Sequence, residues 1–253
     1  MSPTSSLNKA LCVSIDLDEH FVNASEADRD ELLHLFESTE QHVGLIYTSH
    51  GPAESLIEAA AKAHMPVPDM FLADTGTTAM KGDGSGTIEP LQRNIMQLWP
   101  GKENMQKVLS EFPGLKLLDD AAPCRQMVEI DDDETLQAVR EKIESMGCSV
   151  ELRVDKQYDV LPYGVNKGAS LGRWIVQQNV APSSFIALSS AAGDLALCGR
   201  GWRAAMFASS PDSLKEQCER FHNVRLLKSD GPLGVIEALR YFGFLEVAEA
   251  AQQ

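Results

Sequence analysis

The stretch of residues 11–18, Leu-Cys-Val-Ser-Ile-Asp-Leu-Asp, constrains the fold of this chain more than any other feature of its sequence. Its apolar run stops on two acids, Asp16 and Asp18, with one residue between them. If residues 12–15 form a buried strand, its period of two aims both acids the same way from the carboxyl end. Ligand and catalytic sites of open α/β sheets lie at that edge. The stretch therefore predicts an acidic site at the end of the first strand of an α/β sheet.

The acid pair itself allows two interpretations. Asp16 and Asp18, with Glu19 beside them, repel one another unless a cation or a proton separates them. An ion that prefers oxygen ligands, such as Mg²⁺, is one explanation. The other is that one acid caps a turn while the second is solvated. An isolated pair of acids does not decide between them.

Composition limits the class of protein. With 43% hydrophobic residues, the 253-residue chain can bury a substantial core. Its formal net charge of -15 argues against a general nucleic-acid-binding protein, because phosphate backbones would be repelled over most of the surface. A phosphorylated small molecule is compatible with this charge, since a few cations and a metal in one cleft overcome the global field locally.

Other sequence features bear on location and redox chemistry. The chain has no apolar run near the roughly 20 residues of a membrane span. Residues 1–9 are polar and lack the pattern of a secretory signal, so we expect a cytoplasmic protein with no membrane partner. The five cysteines are scattered and form no CxxC, which argues against a zinc site or a disulfide framework.

The rest of the chain alternates between apolar runs and amphipathic segments. The apolar runs predict strands at residues 43–47, 70–73, 185–188, 204–208 and 224–227. Helical periodicity appears at residues 27–38, 52–63 and 233–242. The second predicted strand ends on Thr48, Ser49 and His50. Because the carboxyl ends of parallel strands meet at one edge of the sheet, we expect these residues to lie near Asp16. Residues 74–78, Asp-Thr-Gly-Thr-Thr, follow the third strand.

Residues 80–158 have a different character. Two predicted helices, at residues 103–112 and 133–146, accompany strands of mixed polarity at 124–130 and 149–154. This pattern indicates an inserted α+β module within a core formed by residues 1–79 and 159–253. The acids at positions 131–134 precede an apolar helical pattern, so we expect a helix cap there rather than a metal site.

The segment after the insert brings a lysine to the start of a helix. Asn166 and Lys167 belong to the motif Gly-Val-Asn-Lys-Gly, which is followed by a predicted helix that includes Trp174. A lysine at a helix amino terminus suits anion binding, although a surface lysine is the common alternative. A later apolar strand ends in Ser-Ser-Ala-Ala-Gly-Asp, residues 189–194.

Together these motifs carry a family resemblance. The acid pair after the first strand, Thr48 after the second, Lys167 after an insert and Asp194 after a late strand resemble the haloacid dehalogenase (HAD) superfamily. The insert's position and residues 160–168 are similar to its sucrose-phosphate and mannosylglycerate phosphatase branch. The resemblance spans residues 8–244. It implies a Rossmann-like three-layer core with a mostly parallel sheet, and the insert as a type IIB cap that excludes water and recognises a sugar.

The resemblance also implies a reaction and its residues. Magnesium-dependent hydrolysis of a phosphate monoester would use Asp16 as the nucleophile and Asp18 as the acid and base. Thr48 and Lys167 would stabilise the transferring phosphoryl group. The metal set expected from the resemblance is Asp16, Asp18, Asp194 and Ser190. The expected substrate contacts are Ser49, His50 and Asn166. We expect a phosphorylated small-molecule substrate and a monomer or weak homodimer.

The sequence departs from this family's pattern in its late motif, which normally reads GDxxND. Ser190 stands where relatives carry a magnesium-ligating acid, and Gly193 stands where they carry Asn. His20 and His50 are further departures; many sugar phosphatases carry Arg at the second position. Two hypotheses follow: a magnesium-dependent sugar phosphatase, or a catalytically weakened HAD domain that binds a phosphorylated sugar or a partner enzyme in a regulatory role.

Some polar residues of the insert are candidates for contact with the sugar. These are the residues near predicted strand ends: Arg125, Gln126, Arg153, Lys156 and Tyr158. Most polar residues of any such module are solvated surface, so we expect only one or two of them to reach a substrate.

Overall fold

The computed structural model describes residues 6–7, 11–17, 19–37 and 43–246. Asp18 therefore lies outside the described residues. Within the described ranges, no helix has the length and apolar character needed to cross a membrane.

The elements follow one another in the alternating order that the sequence predicts. The strands are β1 (Ser6–Leu7), β2 (Leu11–Asp16), β3 (Val43–Thr48), β4 (Met70–Ala73), β5 (Thr78–Lys81), β6 (Leu115–Leu117), β7 (Gln126–Ile130), β8 (Cys148–Val154), β9 (Gln157–Pro162), β10 (Phe185–Ser189), β11 (Arg203–Met206), β12 (Val224–Leu226) and β13 (Leu245–Glu246). The helices are α1 (Glu19–Val22), α2 (Glu26–Glu37), α3 (Ala53–Lys62), α4 (Leu91–Leu98), α5 (Lys102–Leu109), α6 (Asp133–Glu144), α7 (Lys167–Gln177), α8 (Asp212–Cys218) and α9 (Gly231–Tyr241).

A large sheet of seven strands forms the core, in the order β12-β11-β10-β2-β3-β4-β5. Its neighbouring strands are parallel except at the edge, where β5 runs antiparallel to β4. β2 is buried at every residue because helices cover both faces of the sheet, which is why its sequence is almost continuously apolar. The predicted three-layer α/β core with a mostly parallel sheet is confirmed.

The two faces of the large sheet have separate apolar cores. On one face, side chains such as Ile15 and Leu188 pack against α2, α3 and α9. On the other, Ile46 and Phe185 pack against α4 and α7, with Trp174 among the buried residues. Full burial of each such side chain stabilises the fold by roughly 1.5–3 kcal/mol. These two cores fix the strand ends that carry polar residues.

A second, smaller sheet lies between the two halves of the core sequence. Its strand order is β6-β7-β9-β8, with every neighbouring pair antiparallel. Helices α5 and α6 cover one face of it through Met105, Leu109, Val139 and Ile143. Asp132 caps α6 by accepting a hydrogen bond from the backbone N–H of Thr135, so the predicted helix cap is confirmed.

Some elements differ from those expected. β9 pairs within the small sheet, although residue 159 was expected to begin the second part of the core. β5 pairs with the large sheet, and α4 packs under it, although residues from 80 onward were expected to belong to the insert. The limits of the two domains themselves stay a prediction.

Candidate active site

A buried lysine joins two carboxylates at the carboxyl edge of the large sheet. Lys167 Nζ donates to Asp16 Oδ1 at 2.8 Å and to Asp194 Oδ2 at 2.9 Å. Lys167 and Asp194 are each 1% exposed and Asp16 is 5% exposed. Charged groups are seldom buried so deeply unless they are paired. The edge predicted from Asp16 thus brings together three of the predicted site residues.

Each of the three is placed by a different element. Asp16 is the last residue of β2, and Asp194 lies in a 3-10 helical turn, Ala192–Leu197, after β10. Lys167 is the first residue of α7, which Asn166 caps by accepting from the backbone N–H of Ala169. Gly76 fits closely against this helix start, because a Cβ atom there would collide with the backbone of Asn166 and Lys167.

Two hydroxyl groups complete the contacts around the nucleophile candidate. Thr48 pairs with Asp16 in the sheet register, and its Oγ1 donates to Asp16 Oδ1 at 3.1 Å. Ser189 Oγ lies 3.1 Å from Asp16 Oδ2 and also contacts Asp194 Oδ2. Ser189 was not among the predicted site residues. The ends of neighbouring parallel strands meet at one edge of the sheet, and this reasoning placed Thr48 near Asp16. It would also have identified Ser189, which ends the strand beside β2.

The opposite charges within the cluster affect the pKa values of Lys167 and Asp194. Burial disfavours the ammonium of Lys167, but the adjacent carboxylates of Asp16 and Asp194 outweigh that effect and raise its pKa. Burial likewise disfavours the carboxylate of Asp194, but the charges of Lys167 and His50, together with hydrogen bonds from His50 and Ser189, lower its pKa well below the ordinary range. Both directions indicate an ionised pair at neutral pH.

His50 links this cluster to the loop after β4. Its Nε2 lies 3.1 Å from Asp194 Oδ1 and its Nδ1 lies 3.2 Å from Thr75 Oγ1. Thr75 also donates to Asp159 Oδ2, on β9 of the small sheet. Asp74 and Thr75 have left-handed backbone φ angles of 53° and 59°, which non-glycine residues adopt at a cost.

An arginine of the small sheet anchors the same junction. Arg125, 2% exposed, donates from Nε and Nη2 to the two carboxylate oxygens of Asp120, each at 2.9 Å. It also lies 3.2 Å from Asp74 Oδ1 and 3.8 Å from Asp159 Oδ1. Its Nη1 donates to the carbonyl oxygen of His50 at 2.5 Å. The core and the small sheet are therefore joined by a buried ionic network.

A cavity of about 530 Å³ opens beside the cluster. Its lining comes from the loops of the core and from the β8 end of the small sheet, and includes Glu19, His20, Arg153, Val154, Ser190 and Ser209. Ser190, which lines the cavity, directly follows Ser189, whose hydroxyl contacts Asp16. Glu19, Arg153, Ser190 and Ser209 contribute polar groups to a lining whose accessible surface is otherwise mostly apolar.

The remaining predicted substrate residues lie near the edge but contact protein groups. Ser49 Oγ accepts from the backbone N–H of Gly51 at 2.9 Å. Asn166 donates to Glu151 Oε1 at 2.9 Å in addition to its capping bond. Both ring nitrogens of His50 contact protein side chains. Substrate contact by Ser49, His50 and Asn166 stays a prediction.

The polar residues of the insert separate into different environments. Arg125 lies in the buried network, and Gln126 is buried with its amide donating to the carbonyl of Leu118. Lys156 is exposed and pairs with Asp131 at 3.0 Å. Arg153 lines the cavity. That one or two of these residues reach a substrate stays a prediction.

The donors near Asp16 fit a magnesium ion that is held together with a phosphate group. Mg²⁺ is commonly bound by one or two carboxylates, waters and substrate phosphate oxygens. Both oxygens of Asp194 and both of Asp16 already contact protein donors. Metal binding by Asp16, Asp18, Asp194 and Ser190 stays a prediction. Within the described residues, no group of three or more His, Cys, Asp and Glu is arranged to hold a metal by itself. A magnesium ion here would therefore take part of its coordination from water and from substrate phosphate oxygens.

The fold and the site together define the HAD class of phosphatase folds. The sheet carries an inserted α+β module, and four residues meet at its edge: Asp16 at the end of β2, Thr48 at the end of β3, Lys167 at the start of α7 and Asp194 after β10. The chain belongs to the sucrose-6F-phosphate phosphohydrolase family, whose model matches residues 9–243.

Solved structures agree on the fold. The sucrose-phosphatase from Synechocystis sp. PCC6803, solved in complex with sucrose and phosphate, is 17% identical with a TM-score of 0.82, covering 94% of this chain and 100% of that one. A HAD-superfamily phosphatase from Bacteroides thetaiotaomicron is 15% identical with a TM-score of 0.67, covering 94% of this chain and 96% of that one. At these identities the likeness concerns the fold.

A curated relative is larger than this chain. The glucosylglycerol-phosphate synthase of Pseudomonas anguilliseptica is 26% identical over 241 residues, which is 93% of this chain and 31% of the synthase. The chain thus spans about a third of the length of that relative.

Proposed function

We propose that this protein is a magnesium-dependent phosphatase that hydrolyses a sugar phosphate through an aspartyl-phosphate intermediate on Asp16. The observation that carries the proposal is the contact of Lys167 Nζ with Asp16 Oδ1 at 2.8 Å, in a buried site that Thr48 completes from the next strand. A carboxylate held between a buried cation and hydroxyl donors is oriented for attack.

In the first step, an Asp16 carboxylate oxygen attacks the phosphorus and forms a P–O bond. The ester bond between phosphorus and the sugar oxygen breaks, and the sugar oxygen leaves with the bonding electrons and takes a proton from Asp18. Lys167 and Thr48 stabilise the negative charge of the phosphoryl oxygens as this happens.

In the second step, Asp18 accepts a proton from a water molecule whose oxygen attacks the phosphorus of the aspartyl-phosphate. The bond from phosphorus to Asp16 breaks, which regenerates the carboxylate and releases inorganic phosphate. Lys167 keeps its contact with the returning carboxylate. Bound at Asp16, Asp18 and Ser190, Mg²⁺ would supply positive charge that reduces the repulsion between nucleophile and phosphate.

The cavity supports a sugar as the leaving group. Glu19, Arg153 and Ser209 in its lining offer the hydrogen-bond acceptors and donors that recognition of sugar hydroxyls requires. The family and the curated relative name two candidates, sucrose 6F-phosphate and glucosylglycerol phosphate. A mannosylglycerate phosphate is the third.

A second candidate is a domain that binds a phosphorylated sugar without efficient turnover. It is favoured by Ser190, which supplies a neutral hydroxyl where a carboxylate would bind a divalent ion more strongly. A chain matching about a third of a synthase is also compatible with a module that assists a partner enzyme.

Phosphate release separates the two candidates. The protein would be incubated with each of the three sugar phosphates, with Mg²⁺ and with a chelator, beside Asp16→Asn as the matched control. Magnesium-dependent release that is absent from Asp16→Asn supports the phosphatase. Saturable binding of a sugar phosphate without release supports the binding domain and overturns the phosphatase.

A further inference from the structure

A second cleft, of about 590 Å³, opens along α7. The lining of this α7 cleft includes Asn94 of α4, Arg173 and Gln177 of α7, and Arg200, which follows the turn that carries Asp194. None of the described residues that line it is acidic. The chain has 37 acidic and 22 basic residues, so two arginines without an acid make this cleft locally positive on a negative protein.

The α7 cleft and the active-site candidates lie on opposite faces of α7. The helical residues that line the cleft are spaced as one face of a helix, at positions 169, 172, 173, 176 and 177. Lys167 belongs to the other face, which is buried and includes Ser170, Leu171, Trp174 and Ile175. A ligand in the α7 cleft would therefore not occupy the site around Asp16.

Arg173 is held in place but retains unused donors. Its Nη2 donates to the carbonyl oxygen of Gly164 at 2.8 Å. Its Nη1 is buried and has no hydrogen-bond partner within the described ranges. A buried N–H group without an acceptor is costly, so an oxygen-rich ligand beside this guanidinium would be stabilising.

Arg200 is fixed against the start of the same helix. Its Nε donates to the carbonyl oxygen of Ala196 at 2.7 Å. A Cβ atom at Gly168 would stand 2.8 Å from this Nε, so the lack of a side chain at Gly168 lets the guanidinium lie against α7. The hydrogen bond uses Nε alone, which leaves the two Nη groups of Arg200 as donors for a ligand.

The two arginines lack the acidic partners that most buried or half-buried cations of this chain have. In the part of the chain that the structure describes, no ion pair includes Arg173 or Arg200. Burial and the charge of Arg173 both lower the pKa of Arg200, whereas the charge of Glu151 opposes them from a longer distance. The carboxylate of Glu151 accepts from Asn166. An anion between the two guanidinium groups would relieve their repulsion.

We propose that Arg173 and Arg200 bind a phosphate-bearing anion in the α7 cleft, at a site separate from the active site. Guanidinium groups present paired N–H donors that match the oxygen atoms of a phosphate group. The side-chain amides of Asn94 and Gln177 offer further donors. The cleft volume falls within the roughly 300–1,000 Å³ of small-molecule sites, so free phosphate and a phosphate monoester both fit. The proposal does not depend on the proposed function.

Chemical modification of arginines tests the site in the wild-type chain. Phenylglyoxal would be added in a buffer free of phosphate, sulfate and carboxylates, and the modified arginines would be located by peptide mass spectrometry. We expect inorganic phosphate at about ten times its Kd to slow modification of Arg173 and Arg200 about tenfold, as simple occupancy requires. Arg93, which is exposed and paired with Glu89, is the internal control and should be unaffected. Sodium chloride at equal ionic strength controls for screening.

Equilibrium dialysis with labelled inorganic phosphate counts the sites. The double variant Arg173→Gln/Arg200→Gln should bind one phosphate per chain fewer than the wild type. Arg93→Gln, which removes one nearby positive charge, should bind as many as the wild type. Thermal unfolding would verify that each variant is folded. Because the result is a difference of one phosphate, it holds whether or not phosphate also binds at Asp16.

A phosphate monoester distinguishes the two sources of the anion. Glucose 6-phosphate would replace inorganic phosphate in the modification experiment, with Asp16→Asn protein so that the proposed reaction does not consume it. Protection at lower concentration by glucose 6-phosphate assigns the site to a phosphate monoester, and the reverse order assigns it to free phosphate. Protection of Arg173 and Arg200 by neither anion, or equal phosphate binding by the wild type and the double variant, would overturn the proposal.

Discussion

Gly193 lies directly against the carbonyl oxygen of Leu152, so closely that a Cβ atom at Gly193 would stand 2.5 Å from it. Leu152 belongs to β8 of the small sheet and Gly193 to the loop that carries Asp194. The same Cβ would lie 3.3 Å from Cε1 of His50. The late loop and the small sheet therefore meet backbone to backbone, beside the catalytic candidates.

This contact predicts a specific effect of Gly193→Ala. The added methyl must push the β8 end and the late loop apart, since the atom it would meet first, the carbonyl oxygen of Leu152, belongs to the backbone. We expect a loss of about 1–3 kcal/mol in the free energy of unfolding, as overpacking usually costs. We also expect reduced turnover, because Asp194 moves with the loop. Urea unfolding and phosphate release would measure the two effects.

Gly172→Ala is the matched control for this substitution. A Cβ at Gly172, in α7, would meet the Trp202 ring at an ordinary contact distance of 3.6 Å. Alanine there reduces the entropy of the unfolded chain, so we expect a gain of about 0.4–1 kcal/mol. Equal effects of the two variants would mean that the close approach at Gly193 is not a constraint.

Asp16→Asn should abolish phosphate release while the protein stays folded. The amide keeps the shape of the side chain but cannot form a stable acyl phosphate, so the nucleophile is removed. Circular dichroism should be unchanged, because Asp16 lies at a strand end and not within an apolar core. Wild-type turnover in Asp16→Asn would rule out covalent catalysis by this residue.

Much of this site follows from a simple sequence pattern. Asp16, Thr48 and Asp194 come directly after, or shortly after, buried apolar runs, and parallel strands bring such positions to one edge. The position of Lys167 at the start of a helix could be predicted because a Gly-containing motif precedes a helical pattern. Such local patterns are reliable because the burial of a strand and the capping of a helix each depend on a few consecutive residues.

The ionic network around Arg125 was beyond such reasoning. Its partners Asp74, Asp120 and Asp159 are far apart in sequence. Pairing of β9 with β7 brings Asp159 to Arg125, and the contact between the two sheets brings Asp74. β9 was also missed as part of the small sheet, because its residues run without a break into the segment before Lys167. Long-range pairing has no local pattern to reveal it.

Arg125→Met should destabilise the protein strongly. It leaves Asp74, Asp120 and Asp159 buried without their shared cation, and breaking a buried pair typically costs about 3–5 kcal/mol. Burial already raises the pKa of Asp74, so this carboxyl would become protonated more easily. Lys156→Met, at an exposed ion pair of the same small sheet, is the control and should change little. Similar losses in urea unfolding for both variants would contradict the network's importance.

The lowered pKa of Asp194 predicts that the free energy of unfolding depends on pH. Its pKa is lowered by folding, so the stabilisation from its charge is present above its unfolded value near 3.8 and is lost as the pH falls below it. Asp194→Asn lacks this contribution at every pH. The wild type should therefore exceed Asp194→Asn in unfolding free energy by a constant amount from pH 7 to 5, and the gap should narrow from pH 4 to 3. A gap that widens on acidification would contradict the assigned ion pair.

Ser190 decides how tightly the proposed magnesium ion is held. Ser190→Asp adds a carboxylate where the described donors otherwise offer Asp16 and hydroxyls, so we expect Mg²⁺ to bind about tenfold tighter or more, since even outer-shell ligand changes have effects of that size. Turnover at low Mg²⁺ should rise if occupancy of the ion limits it. Without Mg²⁺ the new charge repels Asp16 and raises the pKa values of its neighbours, so stability should fall until the ion is added. Ser190→Asn, which is similar in size but neutral, is the control and should show neither effect. Calorimetry with Mg²⁺ and phosphate release over a magnesium series would measure both, and equal Mg²⁺ affinity in all three proteins would show that Ser190 lies away from the ion.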